Sequence, residues 1–240
     1  MAKQKYNKLC MVGIDNDYML LGVRRLLPFA RQYFPNTEVL MVAPDQLRSE
    51  KDWNLAAQQI SSSDIACFSS ITMFAETARK LIAKAKALNP SLYSIWGGIH
   101  GIVYPEDALE HVDAVCVGEG EIAFPQLLDA MKKNLPFQHI ENFWFRRDNE
   151  IIKNSFLPLI SGEQISGFPH PVFMDGEQVF LSEKGFVDYD QSQYIRLQGH
   201  VYPTVWALGC PLHCTYCGNT KFIENDPDFR KIRYRAPKHM

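Results

Sequence analysis

Cys210, Cys214 and Cys217 fall in Leu208-Gly-Cys-Pro-Leu-His-Cys-Thr-Tyr-Cys-Gly218, a Cys-x3-Cys-x2-Cys spacing that gathers half of the chain's six cysteines. Thiolate-rich sites favour zinc or iron–sulfur centres over hard cations. Three ligands on one short loop suit a cluster that keeps one iron open for a substrate or cofactor. A structural zinc site wants four ligands, usually as two pairs. The zinc reading therefore needs His213 or His239 as a fourth ligand. Incidental thiols are a poorer account, because unrelated cysteines rarely gather beside Gly209, Pro211 and Gly218.

The loop must be carried by something. The run before it, residues 201–208, alternates enough to read as a strand that leads into the cysteines. Further upstream, apolar runs at 9–14, 38–43, 65–71, 92–96 and 114–117 alternate with helical patterns at 20–33, 74–88 and 122–132. That rhythm predicts an α/β fold, an open, Rossmann-like parallel sheet with flanking crossover helices. Ligands of such sheets bind beyond the carboxyl ends of the strands. The loops there read Asp15-Asn-Asp-Tyr, Ser69-Ser70-Ile-Thr72, Gly97-Gly-Ile-His-Gly101 and Gly118-Glu-Gly-Glu121.

Gly118-x-Gly120-x-x-Ala123 loosely fits a dinucleotide fingerprint. That fingerprint belongs after the first strand, and Glu119 and Glu121 would stand where a pyrophosphate should sit. Composition narrows the choice further. With 240 residues, 46% of them apolar, the chain can bury the core of one or two domains. A net charge of −2 argues against a nucleic-acid partner held by bulk electrostatics. The N-terminus lacks an apolar signal core and no run is long enough to span a bilayer, so the chain reads as cytoplasmic. Cys10, Cys67 and Cys116 sit inside apolar runs and read as core thiols.

The Cys-x-x-x-Cys-x-aromatic-Cys pattern, with Tyr216 before the last cysteine, resembles the signature of the radical S-adenosylmethionine superfamily. The resemblance implies that Cys210, Cys214 and Cys217 hold a 4Fe-4S cluster whose open iron chelates S-adenosylmethionine, with Tyr216 near the adenine. It also implies an electron donor that reduces the cluster, so that S-adenosylmethionine is cleaved to a deoxyadenosyl radical.

Gly97-Gly98, Pro105-Glu106 and Asp113-Ala-Val-Cys-Val-Gly118-Glu-Gly-Glu121, in that order and upstream of the cysteines, are similar to the cobalamin-binding domain that precedes the barrel in many such proteins. The likeness covers about residues 8–133. It implies cobalamin contacts from Asp17, Met19, Ser69, Thr72, Gly97, Gly98, Gly118 and Gly120. Glycines would let backbone approach a flat macrocycle, while the Ser69 and Thr72 hydroxyls would bond the corrin amides or phosphate, or else cap the next helix. The chain departs from the Asp-x-His-x-x-Gly loop of cobalamin mutases at Met19, which replaces the histidine and reads as a helix-face core residue. His100 reads as a loop or capping residue.

These likenesses divide the chain into a cobalamin-binding-like domain (1–136), a connector with a hairpin at Arg146-Arg-Asp-Asn149 (137–200), and the start of a radical barrel (201–240). A parallel barrel takes upwards of ~200 residues. The expectation is the N-terminal part of a larger enzyme, inactive alone, whose parent uses cobalamin for methyl transfer or a radical rearrangement on an unspecified small-molecule or peptide substrate. The rival is a stand-alone cobalamin-binding module with a cysteine metal loop and no catalysis. An enzyme fragment should expose the unpaired edge of its strand at 201–209.

Overall fold

The computed structural model describes residues 5–147, 150–201 and 203–236, with Leu197 and Gln198 described by their backbone alone. The N-terminal half alternates strands and helices: β1 (Leu9–Ile14), α1 (Leu21–Tyr33), β2 (Glu38–Val42), α2 (Glu50–Ser61), β3 (Ile65–Ser70), α3 (Ala75–Leu88), β4 (Tyr93–Gly97), α4 (Ile99–Val103), α5 (Pro105–Leu109), β5 (Ala114–Cys116) and α6 (Gly120–Lys132). The five strands pair in parallel in the order β5-β4-β3-β1-β2. All six residues of β1 are buried, as expected of a strand with both faces covered. Alternate side chains enter two cores. Leu9 and Met11 join Val39, Met41, Ile65 and Ile95 under α1 and α6. Cys10, Val12 and Ile14 join Leu40, Val42, Phe68 and Trp96 under α2 and α3.

Helix α2 begins at a capping box, Ser49-x-x-Asp52, that is visible in the sequence. Ser49 caps it, accepting the Asp52 N–H while the Asp52 carboxylate accepts the Ser49 N–H, and Ala56 and Ile60 face the core.

The sheet does not stop at residue 136. A hairpin of β6 (Phe143–Arg147) and β7 (Glu150–Lys153) adds antiparallel to β5. After α7 (Gly162–Gly167), β8 (Glu177–Leu181) pairs parallel with β2 and antiparallel with β9 (Gly185–Asp188). The segment read as a connector thus supplies both edges of a nine-stranded sheet. The cause is burial: Phe143, Phe145, Val179 and Phe180 are fully enclosed and complete the two cores. At the expected hairpin turn, Arg146 and Arg147 end β6, whereas Asp148 and Asn149 lie outside the described residues.

The strand expected over 201–208 is corrected. After α8 (Gln191–Gln198), the described residues of that run are laddered only at β10 (Ala207–Leu208), which pairs antiparallel with β11 (Arg233–Tyr234) beyond α9 (Asn219–Asn225). Pro203 has no N–H to give a longer ladder. One edge of β10 is thus paired with β11 at Ala207 and Leu208, while the other has no strand neighbour among the described residues; Tyr202 and residues 237–240, including His239, lie outside the described residues.

Candidate functional site

The chain leaves β1 toward β2 on one side and reaches β3 on the other, so the sheet reverses its winding between β1 and β3. At such a switch point the two departing loops diverge and open a crevice. Here they are residues 15–20 and 71–74, with the loops after β4 and β5 alongside.

The β1 loop is held from below. Arg24, fully buried on α1, donates to the carbonyls of Tyr18 (2.6 Å) and Met19, and its guanidinium forks onto the buried Glu177 of β8 at 2.9 and 3.2 Å. Tyr18 and Leu20 both take positive φ, 55° and 42°. Met19 precedes α1 and is half-buried, so the helix-face reading is corrected: it belongs to the loop, its N–H donating to Asp17 Oδ1 at 2.8 Å. Partial burial, with Asp17 nearby, pushes the Asp15 carboxyl above its ordinary value.

Gly98 adopts φ +82°, and a Cβ there would stand 2.8 Å from Ser69 Oγ and 3.1 Å from the Ser70 carbonyl oxygen. Only glycine fits both the backbone and the space. At Gly118 the close neighbour is Asn142, 2.7 Å from a Cβ position. The protein's own packing thus already demands glycine at both. Gly97 and Gly120 flank the same loops, over Cys116 and Leu26.

Ser70 Oγ accepts from Trp96 Nε1 at 3.1 Å. Ser69 and Thr72 have no such engagement among the described residues, and neither the short turn at Thr72–Phe74 nor α3 has a side-chain cap. The helix-capping alternative for these hydroxyls is not taken. Beside them Ile71 and Met73 are exposed, Met73 to 78%. His100 points elsewhere. Buried on α4 between Trp96 and Tyr104, it bonds Asp107 Oδ2 through Nε2 at 2.9 Å, and burial holds it below its ordinary pKa. It is therefore a buried helical residue, not a loop or cap.

The two loop carboxylates that argue against a dinucleotide are both neutralised within the chain. Glu119 pairs with Arg233 and Glu121 with Arg25, at 2.7 and 2.5 Å. Burial raises the Glu121 pKa against the pull of Arg25. The sequence reading missed Arg24, Glu177, Asn142 and Arg233. A lone arginine on the apolar face of α1 is the one signal that pointed to any of them.

The cysteine loop stands at this same end of the sheet. Gly218 packs on Ile99 of α4, 3.0 Å from a Cβ position to Ile99 Cγ2. Within the loop, the Cys214 carbonyl accepts from Cys217 N–H (3.1 Å) and Thr220 Oγ1 (2.7 Å), and Cys210 N–H donates to the Phe229 carbonyl at 3.0 Å. All three cysteines are free thiols and half-buried, and Tyr216 is 90% exposed. His213 is exposed. Among the described residues no three His, Cys, Asp or Glu side chains converge on one point. The donor set fits a cluster in ligand type and chain position, with the side chains not drawn together in this conformation. Cys10, Cys67 and Cys116 lie on the sheet strands; burial raises the pKa of all three, Cys10 and Cys116 to about 12.

Residues 16–128 match the B12 binding domain family. This stretch, just under half of the chain, is similar to that domain. The chain carrying it is 26% identical over 180 residues to an anaerobic magnesium-protoporphyrin IX monomethyl ester cyclase of Rubrivivax gelatinosus, covering 74% of the chain and 30% of that protein. It is 27% identical over 165 residues to a cytidylyl-2-hydroxyethylphosphonate methyltransferase of Streptomyces wedmorensis, covering 62% and 31%. The chain thus spans under a third of the length of these curated relatives. Its fold is that of the radical S-adenosylmethionine methyltransferase TsrM of Kitasatospora setae (TM-score 0.69, 14% identity, covering 97% of the chain and 44% of TsrM). It is also that of the cobalamin-dependent S-adenosylmethionine radical enzyme OxsB with aqua-cobalamin bound (TM-score 0.66, 15% identity, covering 98% and 31%). The described residues thus share the fold of these two enzymes. No helix among the described residues is long and apolar enough to cross a membrane.

Proposed function

We infer that this chain is the cobalamin-binding part of a radical S-adenosylmethionine enzyme, with cobalamin at the β1–β3 crevice and a 4Fe-4S cluster on Cys210, Cys214 and Cys217. The observation that carries the reading is the contact of Gly218 with Ile99, which seats the cysteine loop beside the crevice of a B12-binding sheet. When bound, the cluster with S-adenosylmethionine supplies one-electron bond cleavage and cobalamin supplies methyl transfer or a radical rearrangement.

The chain's own residues bind, orient and exclude water. Ser69 and Thr72 offer hydroxyls to a polar tail or corrin amides, and Ile71 and Met73 offer apolar surface that a macrocycle would cover. Arg24 fixes the Tyr18 and Met19 carbonyls and so the shape of the β1 loop at the crevice. Three thiolates would hold iron, and the exposed Tyr216 ring would offer a flat face to adenine. The relatives include both a cyclase and a methyltransferase, consistent with either outcome for the whole enzyme.

Anaerobic reconstitution with iron and sulfide, followed by electron paramagnetic resonance of the reduced protein, tests the cluster. A 4Fe-4S signal that is lost in Cys214→Ala is expected, and no signal in the wild-type chain sinks it. Saturable binding of cobalamin, followed by its visible spectrum, is expected on the same protein; its absence sinks the crevice assignment.

A further inference from the structure

Glu119 is the middle residue of Gly118-Glu119-Gly120, the loop that leads β5 into α6 at the crevice end of the sheet. Its carboxylate takes a fork of two N–H donors from Arg233, Nη2 to Oε1 at 2.7 Å and Nη1 to Oε2 at 3.0 Å. The two side chains are only 9% and 12% exposed. Ile160 closes the arrangement, its N–H donating to Glu119 Oε2 at 2.9 Å and its carbonyl accepting from Arg233 Nη1 at 2.8 Å.

A forked guanidinium–carboxylate pair fixes direction as well as distance. It is a poor device for stability, because desolvating both ions offsets most of the attraction. Arg233 Nε, buried and without an acceptor among the described residues, adds to that cost. The arrangement is better explained by what stands at its other end. Arg233 lies on β11 opposite Leu208 of β10, two residues before Cys210, whose N–H is itself bonded to the Phe229 carbonyl. The path from the Gly118–Gly120 loop to the first cysteine thus runs through an ion pair and a strand ladder, with no slack segment. At the far end of the loop, Gly218 rests on Ile99.

We propose that Glu119 and Arg233 are a positioning pair that sets the separation between the cysteine loop and the carboxyl-end crevice of the sheet, and through it the separation of iron–sulfur cluster and cobalamin. The role in spacing cofactors rests on the function proposed above; the role in fixing the loop does not.

Two measurements on the whole chain separate those levels. Amide hydrogen exchange without cofactors should show residues 207–217 exchanging about tenfold faster or more in Arg233→Gln, with β1, β3 and β4 unchanged. Glu119→Gln, which keeps the side-chain shape, should act in the same direction and serves if Arg233→Gln fails to fold. After loading with cobalamin and reconstitution with iron and sulfide, both variants should keep wild-type iron and cobalamin content. Their magnetic coupling between reduced cluster and cobalt(II), read by electron paramagnetic resonance, should weaken or spread. The charge swap Glu119→Arg with Arg233→Glu should restore it in part. Unchanged exchange at 207–217 in both variants overturns the positioning pair itself. Unchanged coupling overturns its role in spacing. A wild-type chain that takes up neither iron nor cobalamin overturns the cofactor reading, while the exchange result still decides the pair.

Discussion

Gly218 and Ile99 touch across about half of the chain's length, with 3.0 Å between a Cβ position on the first and Cγ2 of the second. A larger residue at 218 must push α9 and the cysteine loop off α4, and such overpacking costs ~1–3 kcal/mol where neighbours cannot yield. The sheet core does not share this contact. Gly218→Leu is therefore expected to speed limited proteolysis within 209–225 while leaving the main thermal transition little changed. An unaltered cleavage pattern would mean that the contact does not hold the loop.

Gly98→Ala meets both a backbone and a packing obstacle. A φ of +82° is disfavoured for alanine, and the new Cβ would crowd Ser69 Oγ and the rigid Ser70 carbonyl. A loss of about 1–3 kcal/mol is expected in urea unfolding. Because Ser69 Oγ must move to relieve the clash, cobalamin titration should weaken by more than the fraction unfolded explains. Equal affinity of the folded variant would remove Ser69 from the crevice assignment.

The central sheet was legible because strands buried on both faces read as continuous apolar runs, as Leu9–Ile14 does. At the edges, the β6–β7 hairpin was legible as a hairpin but not as part of the sheet, and β9, partly solvated and mixed in polarity, left no run to read. The spacing of the cysteine triplet is local and can be read directly from the sequence. Its seat on the sheet was hidden: Glu119 and Arg233 are 114 residues apart, and Arg24 and Glu177 are 153 apart. Pairs at such separation leave no periodic trace in one sequence. What the glycines of the crevice loops contact was likewise hidden, since Asn142, which fills the space at Gly118, lies on a segment that reads as a connector.

The Arg24–Glu177 pair is wholly buried on both sides. Removing one partner strands the other charge, so Glu177→Ala should cost about 3–5 kcal/mol in denaturant unfolding. Replacing both with apolar residues, Arg24→Met with Glu177→Leu, should recover much of that loss. It should not restore the loop, because the Tyr18 and Met19 carbonyls lose their donor. The expected signature is a double variant of near-native stability whose amides at 15–20 exchange faster than wild type. Protection equal to wild type there would show that the loop keeps its shape without Arg24.

Asp52 gives the fold a pH dependence of defined sign. Its carboxylate accepts from the Glu183 N–H at 2.7 Å, from Ser49 N–H and Oγ at 3.0 and 2.9 Å, and from Ser182 Oγ at 3.1 Å, so it ties the start of α2 to the β8–β9 turn. These donors, the Glu183 N–H foremost, outweigh the cost of burial and hold its pKa down at about 2. The unfolded chain, with an ordinary carboxylate, takes up the proton first as pH falls. The contribution to stability is therefore complete above the ordinary carboxylate range and is lost as pH falls from there toward about 2. Asp52→Asn cannot titrate, so it should be less stable than wild type at neutral pH and approach it in acid. Thermal midpoints of both proteins across the acid range decide the matter: a gap that closes toward low pH supports the carboxylate tie, and two parallel curves refute it.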